Sequence, residues 1–291
     1  MSITREPVTV IGLGNLGRAL AGTFLSNGHP TTVWNRSTTK ADTLVAGGAT
    51  AAATVADAVA ASKLVIVALL DPQVTREVLA DAAQAVRGHA LVNLTSGGPQ
   101  DARETADWAA EHGADYLHGA VYAVPQTIGT TESSINYSGS AIVHQRWRTH
   151  LEILGKATFL GTDAGRASGY DVAILAGMYG MLGGYLHAAA VARASGLAAT
   201  ELTPMLVSWL TSLLPALTTF AGEIDSGDYT TEESNLAMNQ AGLDTIISAS
   251  TSQGVPAALL LPLKELIDQQ VTAGHGTASL ARAVESLRSV V

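Results

Sequence analysis

The segment Val8-Thr9-Val10-Ile11-Gly12-Leu13-Gly14-Asn15-Leu16-Gly17 constrains this chain more than any other. Four β-branched residues in a row favour a buried strand, and they run without a spacer into three glycines spelled G-x-G-x-x-G. The spelling alone is weak. Its place between a strand and a helix gives it force, because Gly12 then permits the tight turn, Gly14 lets the backbone approach a pyrophosphate, and Gly17 lets the helix pack on the strand. The turn from Gly12 through Leu13 and Gly14 leads to free N–H groups at the helix start, around Asn15 and Leu16, which suit an anion. A dinucleotide is the ligand expected there.

The chain beyond Gly17 repeats the pattern. Thr31 to Trp34, Leu64 to Leu69 and Ala90 to Leu94 read as further buried strands, with crossover helices expected at Asn15 to Leu25, Thr39 to Val45, Val55 to Ala60 and Gln73 to Val86. Tyr116 to Val121, Ser134 to Tyr137 and Ala157 to Leu160 add three strand-like runs, with a helix expected from Ala141 to Leu154. Strands alternating with helices predict an α/β fold with a doubly wound parallel sheet. After Gly161 the β-branched runs vanish and small-residue helices continue to Val291. The chain therefore divides into a dinucleotide-binding domain over 1–161 and an all-α domain over 162–291. A long helix beginning near Ala164 is expected to join them, and its small residues suit a dimer contact.

The end of the second strand chooses the cofactor. Enzymes that prefer NADH carry an acid about twenty residues past the glycines, bonded to the ribose hydroxyls. Here the sequence reads Trp34-Asn35-Arg36-Ser37 with Lys40 one helical turn on. Arg36 offers a guanidinium fork, Ser37 a hydroxyl and Lys40 a second cation, so NADPH is expected, with Arg36 on the 2′-phosphate. The plainer alternative makes Arg36 and Lys40 solvated surface charges. In a doubly wound sheet the carboxyl ends of the strands edge the ligand crevice. Leu69, Leu70, Asn93 and Thr95 stand there and are expected beside the nicotinamide and its ribose, the plainer alternative for Asn93 being a cap on the following turn.

Composition removes other classes. Sixteen basic against 25 acidic residues give a net charge of −9, with no basic run along any face, so nucleic acid is an unsuitable partner. With no cysteine at all, disulfides, thiolate metal sites and thiol nucleophiles are out, and a cytoplasmic location is the expectation. The eight histidines form no HxxH or HExxH pattern, and no GxSxG elbow appears, so neither a catalytic metal nor a serine nucleophile is expected. Val172 to Ala192 and Leu202 to Gly222 lack Asp, Glu, Lys and Arg. Both are read as buried core or subunit-interface helices, not membrane spans, because glycines or prolines interrupt them and no basic cluster flanks them. His187 is read as a bonded core residue and Gly274-His275-Gly276 as an inter-helix turn.

Taken together, Gly12-Leu13-Gly14-Asn15-Leu16-Gly17, Gly28 and Trp34-Asn35-Arg36-Ser37-Thr38-Thr39-Lys40 resemble the N-terminal signature of NADPH-dependent imine reductases and reductive aminases. Gly161, Asp163, Gly165, Ala167, Asp171, Ala173 and Leu175 resemble the same family's motif at the domain junction. Leu16 stands where the family usually has Met, and His118 where an Asp is common. The resemblance implies a Rossmann domain, an interdomain helix and a helical C-terminal domain, shared with the related β-hydroxyacid dehydrogenases. It also implies a homodimer with exchanged C-terminal helices and a small imine, or carbonyl and amine, as substrate.

Residue 171 separates the two families. Relatives that act on alcohols and carbonyls place a lysine there, a cation able to stabilise an oxyanion. This chain's four lysines are at 40, 63, 156 and 264, none on the interdomain helix. Asp171 would instead attract an iminium cation, either protonating the nitrogen or steadying a cation that arrives protonated; the plainer alternative is an Asp171 paired with Arg166 or capping the helix. Tyr179 corresponds to a second polar residue in the family's reductive aminases, eight residues on, roughly 12 Å along an ideal helix and about 80° round it. Core packing of Tyr179 stays open, and Tyr170 and Met178 are further pocket candidates. A carbonyl reductase with a non-lysine proton donor and a non-catalytic NADPH sensor remain as alternative functions.

Overall fold

The computed structural model describes residues 5–287. The chain opens with β1 (Val8–Ile11), α1 (Asn15–Ser26), β2 (Thr31–Trp34), α2 (Asp42–Ala46), β3 (Thr50–Ala51), α3 (Val55–Ala60), β4 (Leu64–Val67) and α4 (Pro72–Ala80). It continues with β5 (Ala90–Asn93), α5 (Pro99–Glu111), β6 (Asp115–Tyr122), β7 (Ser134–Gly139), α6 (Ala141–Arg146), α7 (Arg148–Leu154) and β8 (Lys156–Phe159). The strands form one eight-stranded sheet in the order β3-β2-β1-β4-β5-β6-β7-β8. All neighbours are parallel except β6 and β7, which pair antiparallel with Ala120 opposite Asn136. The order 3-2-1-4-5-6 is that of a doubly wound Rossmann sheet.

Alternation along the strands explains the two layers of helix. Leu64 and Ile66 of β4 face one core with Leu20 and Phe24 of α1 and Leu151 and Leu154 of α7. Val65 and Val67 face the opposite core with Val55 and Val59 of α3 and Val78 and Leu79 of α4. A strand buried on both sides reads as a continuous apolar run, which is why β1 and β4 stand out in the sequence.

Several elements depart from expectation. The helix expected over Gln73 to Val86 ends at Ala80, where i→i+3 bonds such as Ala85 N to Ala82 O (2.8 Å) replace the α ladder. The one expected over Ala141 to Leu154 breaks at Trp147, whose buried indole holds a non-helical backbone (φ −102°, ψ 12°). Helix α5 was missed because its buried face is built of small residues, Ala102, Thr105 and Ala109. The two-residue β3 is too short to show a period.

After β8, α8 (Gly165–Ala194) runs for 30 residues, followed by α9 (Ala199–Leu213), α10 (Ala216–Ser226), α11 (Leu236–Ser252) and α12 (Leu261–Gln270). By packing, the chain forms two units, Met1–Ala176 and Gly177–Val291. The second has its own small core around Leu236, Ile267 and Ala283. His187 is buried there as expected, its Nε2 3.2 Å from Ser250 Oγ. The uncharged stretches behave differently from a core. By length and composition α8 is apolar enough to cross a membrane, yet only 6% of its apolar window is buried within the chain. Met181, Leu186, Met205 and Trp209 are all exposed. A core position within the single chain is thus overturned for most of these residues.

Candidate active site

At the carboxyl ends of β1, β2 and β4 the sheet opens into a cavity of about 580 Å³, within the usual range for a small-molecule site. Every residue from Gly12 to Gly17 lines it, with Asn35, Arg36, Ser37 and Lys40 on one side and Leu69 and Leu70 on the other. The glycines do separate jobs. Gly12 holds φ +93°, and a Cβ there would lie 2.2 Å from the Ala68 carbonyl oxygen; one on Gly17 would lie 1.9 Å from the Gly12 carbonyl oxygen. Both positions are glycine so that the turn can close. Gly14 differs: its φ is an ordinary −66°, and a Cβ would meet nothing within 4 Å. The space beside it belongs to the cavity.

No side chain caps the start of α1, and its first turn holds no acid. Its first N–H groups therefore remain available to an anion. Asn35 braces this loop from β2: its Oδ1 accepts from Leu13 N at 2.9 Å and its Nδ2 donates to Ser37 O at 3.0 Å. Asn15 accepts from Arg18 Nη2 at 2.7 Å, which fixes the helix start. An open cradle at Gly14, free N–H groups and the cations Arg36 and Lys40 fit a dinucleotide bearing a 2′-phosphate.

Trp34, Ala68, Val74 and Val78 also line the cavity, and the sequence did not point to them as ligand contacts. Val74 and Val78 are four residues apart on α4, which begins at Pro72 behind the cap Asp71, whose Oδ1 accepts from Val74 N at 2.8 Å. That i, i+4 pair straight after an Asp-Pro start was the available signal.

Asn93 and Thr95 stand at the strand end, as expected, but their side chains bond to protein and do not line the cavity. Asn93 Nδ2 donates to the Tyr116 hydroxyl (3.0 Å) and its Oδ1 accepts from Thr95 N (3.0 Å), the turn-capping alternative. Thr95 Oγ1 accepts from Leu69 N at 3.0 Å, tying the β4 loop to the β5 loop. The Tyr116 hydroxyl also meets His118 Nδ1 at 3.2 Å, and burial pushes the His118 imidazole down to about 4.

The start of α8 is sewn to the sheet. Asp163 receives Arg103 Nε at 2.9 Å, Arg103 Nη2 at 2.8 Å and Gly165 N at 3.0 Å. This Arg103 fork holds the Asp163 carboxyl below its usual value. Ser138 Oγ donates to Ala164 O and accepts from Ala167 N, both at 2.9 Å, while Ser168 Oγ donates to Gly97 O. One turn later comes Asp171, only 6% exposed. Among the described residues it has no ion pair, with Arg166 or otherwise. Burial pushes its carboxyl up from the ordinary value, and burial together with the Asp171 charge pushes the Tyr122 hydroxyl up as well. Tyr179, on the second unit's part of α8, is 67% exposed, with Tyr170 and Met178 also exposed. Among the described residues no cluster of His, Cys, Asp and Glu could hold a metal.

Residues 7–161 match the NAD binding domain of 6-phosphogluconate dehydrogenase, and residues 163–289 the C-terminal domain of NADPH-dependent reductive aminase-like proteins. An NADPH-dependent reductive aminase from Aspergillus oryzae is 43% identical over 96% of both chains. The reductive aminase from Aspergillus terreus, solved in complex with NADPH4, cyclohexanone and allyl amine, is 41% identical, with a TM-score of 0.92 over 98% of this chain and 100% of that one. An imine reductase from Myxococcus stipitatus in complex with NADP+ is 34% identical, with a TM-score of 0.92 over 97% of this chain and 100% of that one.

Proposed function

This chain belongs to the NADPH-dependent reductive aminase and imine reductase family, and from that premise we propose that it reduces the C=N bond of imines and iminium ions to amines. When bound, NADPH supplies the hydride for the C=N carbon. Gly12 and Leu13, whose N–H groups donate to Trp34 O and Asn35 Oδ1, shape the turn; the N–H groups at Gly14, Asn15 and Leu16 hold the pyrophosphate, and Arg36, Ser37 and Lys40 hold the 2′-phosphate. Leu69 and Leu70 edge the nicotinamide; Asn93 and Thr95 act as positioning residues through the loops they tie down.

One observation carries the chemistry: a buried carboxylate at 171, unpaired with any cation among the described residues. A negative charge held in poor solvent attracts an iminium ion and repels an alkoxide. Its raised affinity for a proton favours donation over mere attraction, so that a proton held on an Asp171 carboxyl oxygen passes to the imine nitrogen while hydride adds to the adjacent carbon. None of the four lysines lies on α8, which weighs against lysine-assisted carbonyl reduction. Tyr179 is the second polar group of the substrate site in this reading.

Cyclohexanone and allyl amine in the Aspergillus terreus complex support small ketones with primary amines as a further substrate class. The uncovered apolar surface of α8 and α9 supports a homodimer exchanging C-terminal helices. The division at 161/162 is that of a cofactor domain and a dimerisation and substrate domain. A cytoplasmic location suits a chain without cysteine.

The test follows NADPH consumption with 1-pyrroline. Asp171→Asn lowers turnover about 10²- to 10³-fold with little change in NADPH binding, whereas Arg36→Ala weakens NADPH about tenfold and leaves NADH alone. Wild-type turnover in Asp171→Asn removes that residue from the mechanism.

A further inference from the structure

Arg36 already has a partner. Its Nη2 lies 3.7 Å from Glu77 Oε2. Glu77 sits on α4 three residues after Val74 and one before Val78, both of which line the cavity, so it flanks the same rim. The other carboxylate oxygen, Oε1, accepts from Gln73 Nε2 at 3.1 Å, which holds the head group in place. The Arg36 and Glu77 side chains are 73% and 51% exposed, and 3.7 Å is too long for a hydrogen bond, so the contact is a weak Coulombic pair in water.

We propose that Glu77 is a specificity-determining residue, an internal carboxylate that competes with the 2′-phosphate of NADPH for Arg36 and so holds down the preference for NADPH over NADH. The inference rests on the cavity being the dinucleotide site. A 2′-phosphate reaching Arg36 must displace a negative charge and then remain beside it. A free 2′-hydroxyl carries no charge to be repelled and can donate a hydrogen bond to the carboxylate. Glu77 thus penalises one cofactor and not the other. Because the pair is exposed, it biases the choice and does not close the site.

Binding, not turnover, reads this out. Titration calorimetry of NADPH, NADH, 2′,5′-ADP and 5′-AMP is carried out on wild type, on Glu77→Gln and on Glu132→Gln, an exposed acid outside the cavity that controls for net charge. Glu77→Gln is expected to bind NADPH and 2′,5′-ADP about two- to fivefold more tightly, with NADH and 5′-AMP unchanged. The gain shrinks as salt screens the pair, and Glu132→Gln matches wild type. Equal affinities for the 2′-phosphorylated ligands in wild type and Glu77→Gln, or an equal gain for NADH, would overturn the proposal. A wild type that binds 2′,5′-ADP no better than 5′-AMP overturns the cofactor reading instead, so the two failures are distinguishable.

Discussion

Gly14→Ala separates a glycine kept for the ligand from one kept for the fold. In the folded chain a methyl group there has ordinary backbone angles (φ −66°, ψ −172°) and meets nothing within 4 Å. Ala is a poorer residue than Gly at a helix N-cap, by about 0.5–1 kcal/mol, while Gly→Ala stiffens the unfolded chain and returns about 0.4–1 kcal/mol. These nearly cancel, so the melting temperature should stay within about 3 °C of wild type. A bound pyrophosphate has no such freedom: the methyl stands where its oxygens approach the backbone. Losing two charge-assisted N–H bonds, about 1.5 kcal/mol or more each, predicts a dissociation constant for NADPH about 100-fold higher. Gly17→Ala is the contrast, because its Cβ would lie 1.9 Å from the Gly12 carbonyl oxygen and overpacking costs about 1–3 kcal/mol. Calorimetric melting and NADPH titration on both variants decide the matter. Should Gly14→Ala bind NADPH like wild type, or melt as early as Gly17→Ala, the assignment of that space to the cofactor fails.

Three further outcomes rest on named groups. If Asp171 delivers the proton, turnover is full below its raised folded pKa and falls as pH rises through it, a limb that Asp171→Asn removes from the pH profile. His118 drops from 6.5 to about 4 through burial, so the unfolded chain binds the proton first. Its stabilising effect is complete above pH 6.5 and declines towards pH 4, by about 3 kcal/mol in all, and urea unfolding of His118→Gln should show a shallower acid slope over that window. Arg103→Ala frees the Asp163 carboxylate and loosens the start of α8. Turnover should then fall while NADPH affinity holds, and Arg103→Lys should recover only part of it, because a lysine cannot form the fork.

How much of this was legible in the sequence depended on the reach of each interaction. Strands β1, β4 and β5 were readable because burial on both faces leaves nearly continuous apolar runs, β2 because its residues are β-branched or aromatic, and the glycine turn because its constraints are local. The cavity's second wall was harder. The Asp-Pro start and the i, i+4 spacing of Val74 and Val78 mark a helix, but no local pattern says that this face of it closes the cavity beside β1 and β4. The same holds for Asn93: its position at a strand end was clear, but its hydrogen bond goes to Tyr116, 23 residues away on β6. Trp147 broke a helix for the sake of a distant core contact. The Arg36–Glu77 pair spans β2 and α4 and became visible only once both elements stood side by side.

The two ends of α8 carry different loads. The bonds that pin it to the sheet fall on Asp163 to Ser168, with Ser168 fastened to Gly97 in the loop beyond β5. Asp171 lies three residues past Ser168 on the same helical face, so its carboxylate is placed by the most firmly held stretch of the helix. From Val172 to Ala192 the sequence then carries no charge at all. No charged side chain on those 21 residues offsets the field of Asp171, and the burial of the carboxylate itself limits its screening by water. Once its proton has passed to the nitrogen, the buried carboxylate there steadies the protonated C=N group, whereas it would repel the oxyanion of carbonyl reduction, and this is why the chemistry turns on residue 171 and not on the fold that this family shares with dehydrogenases.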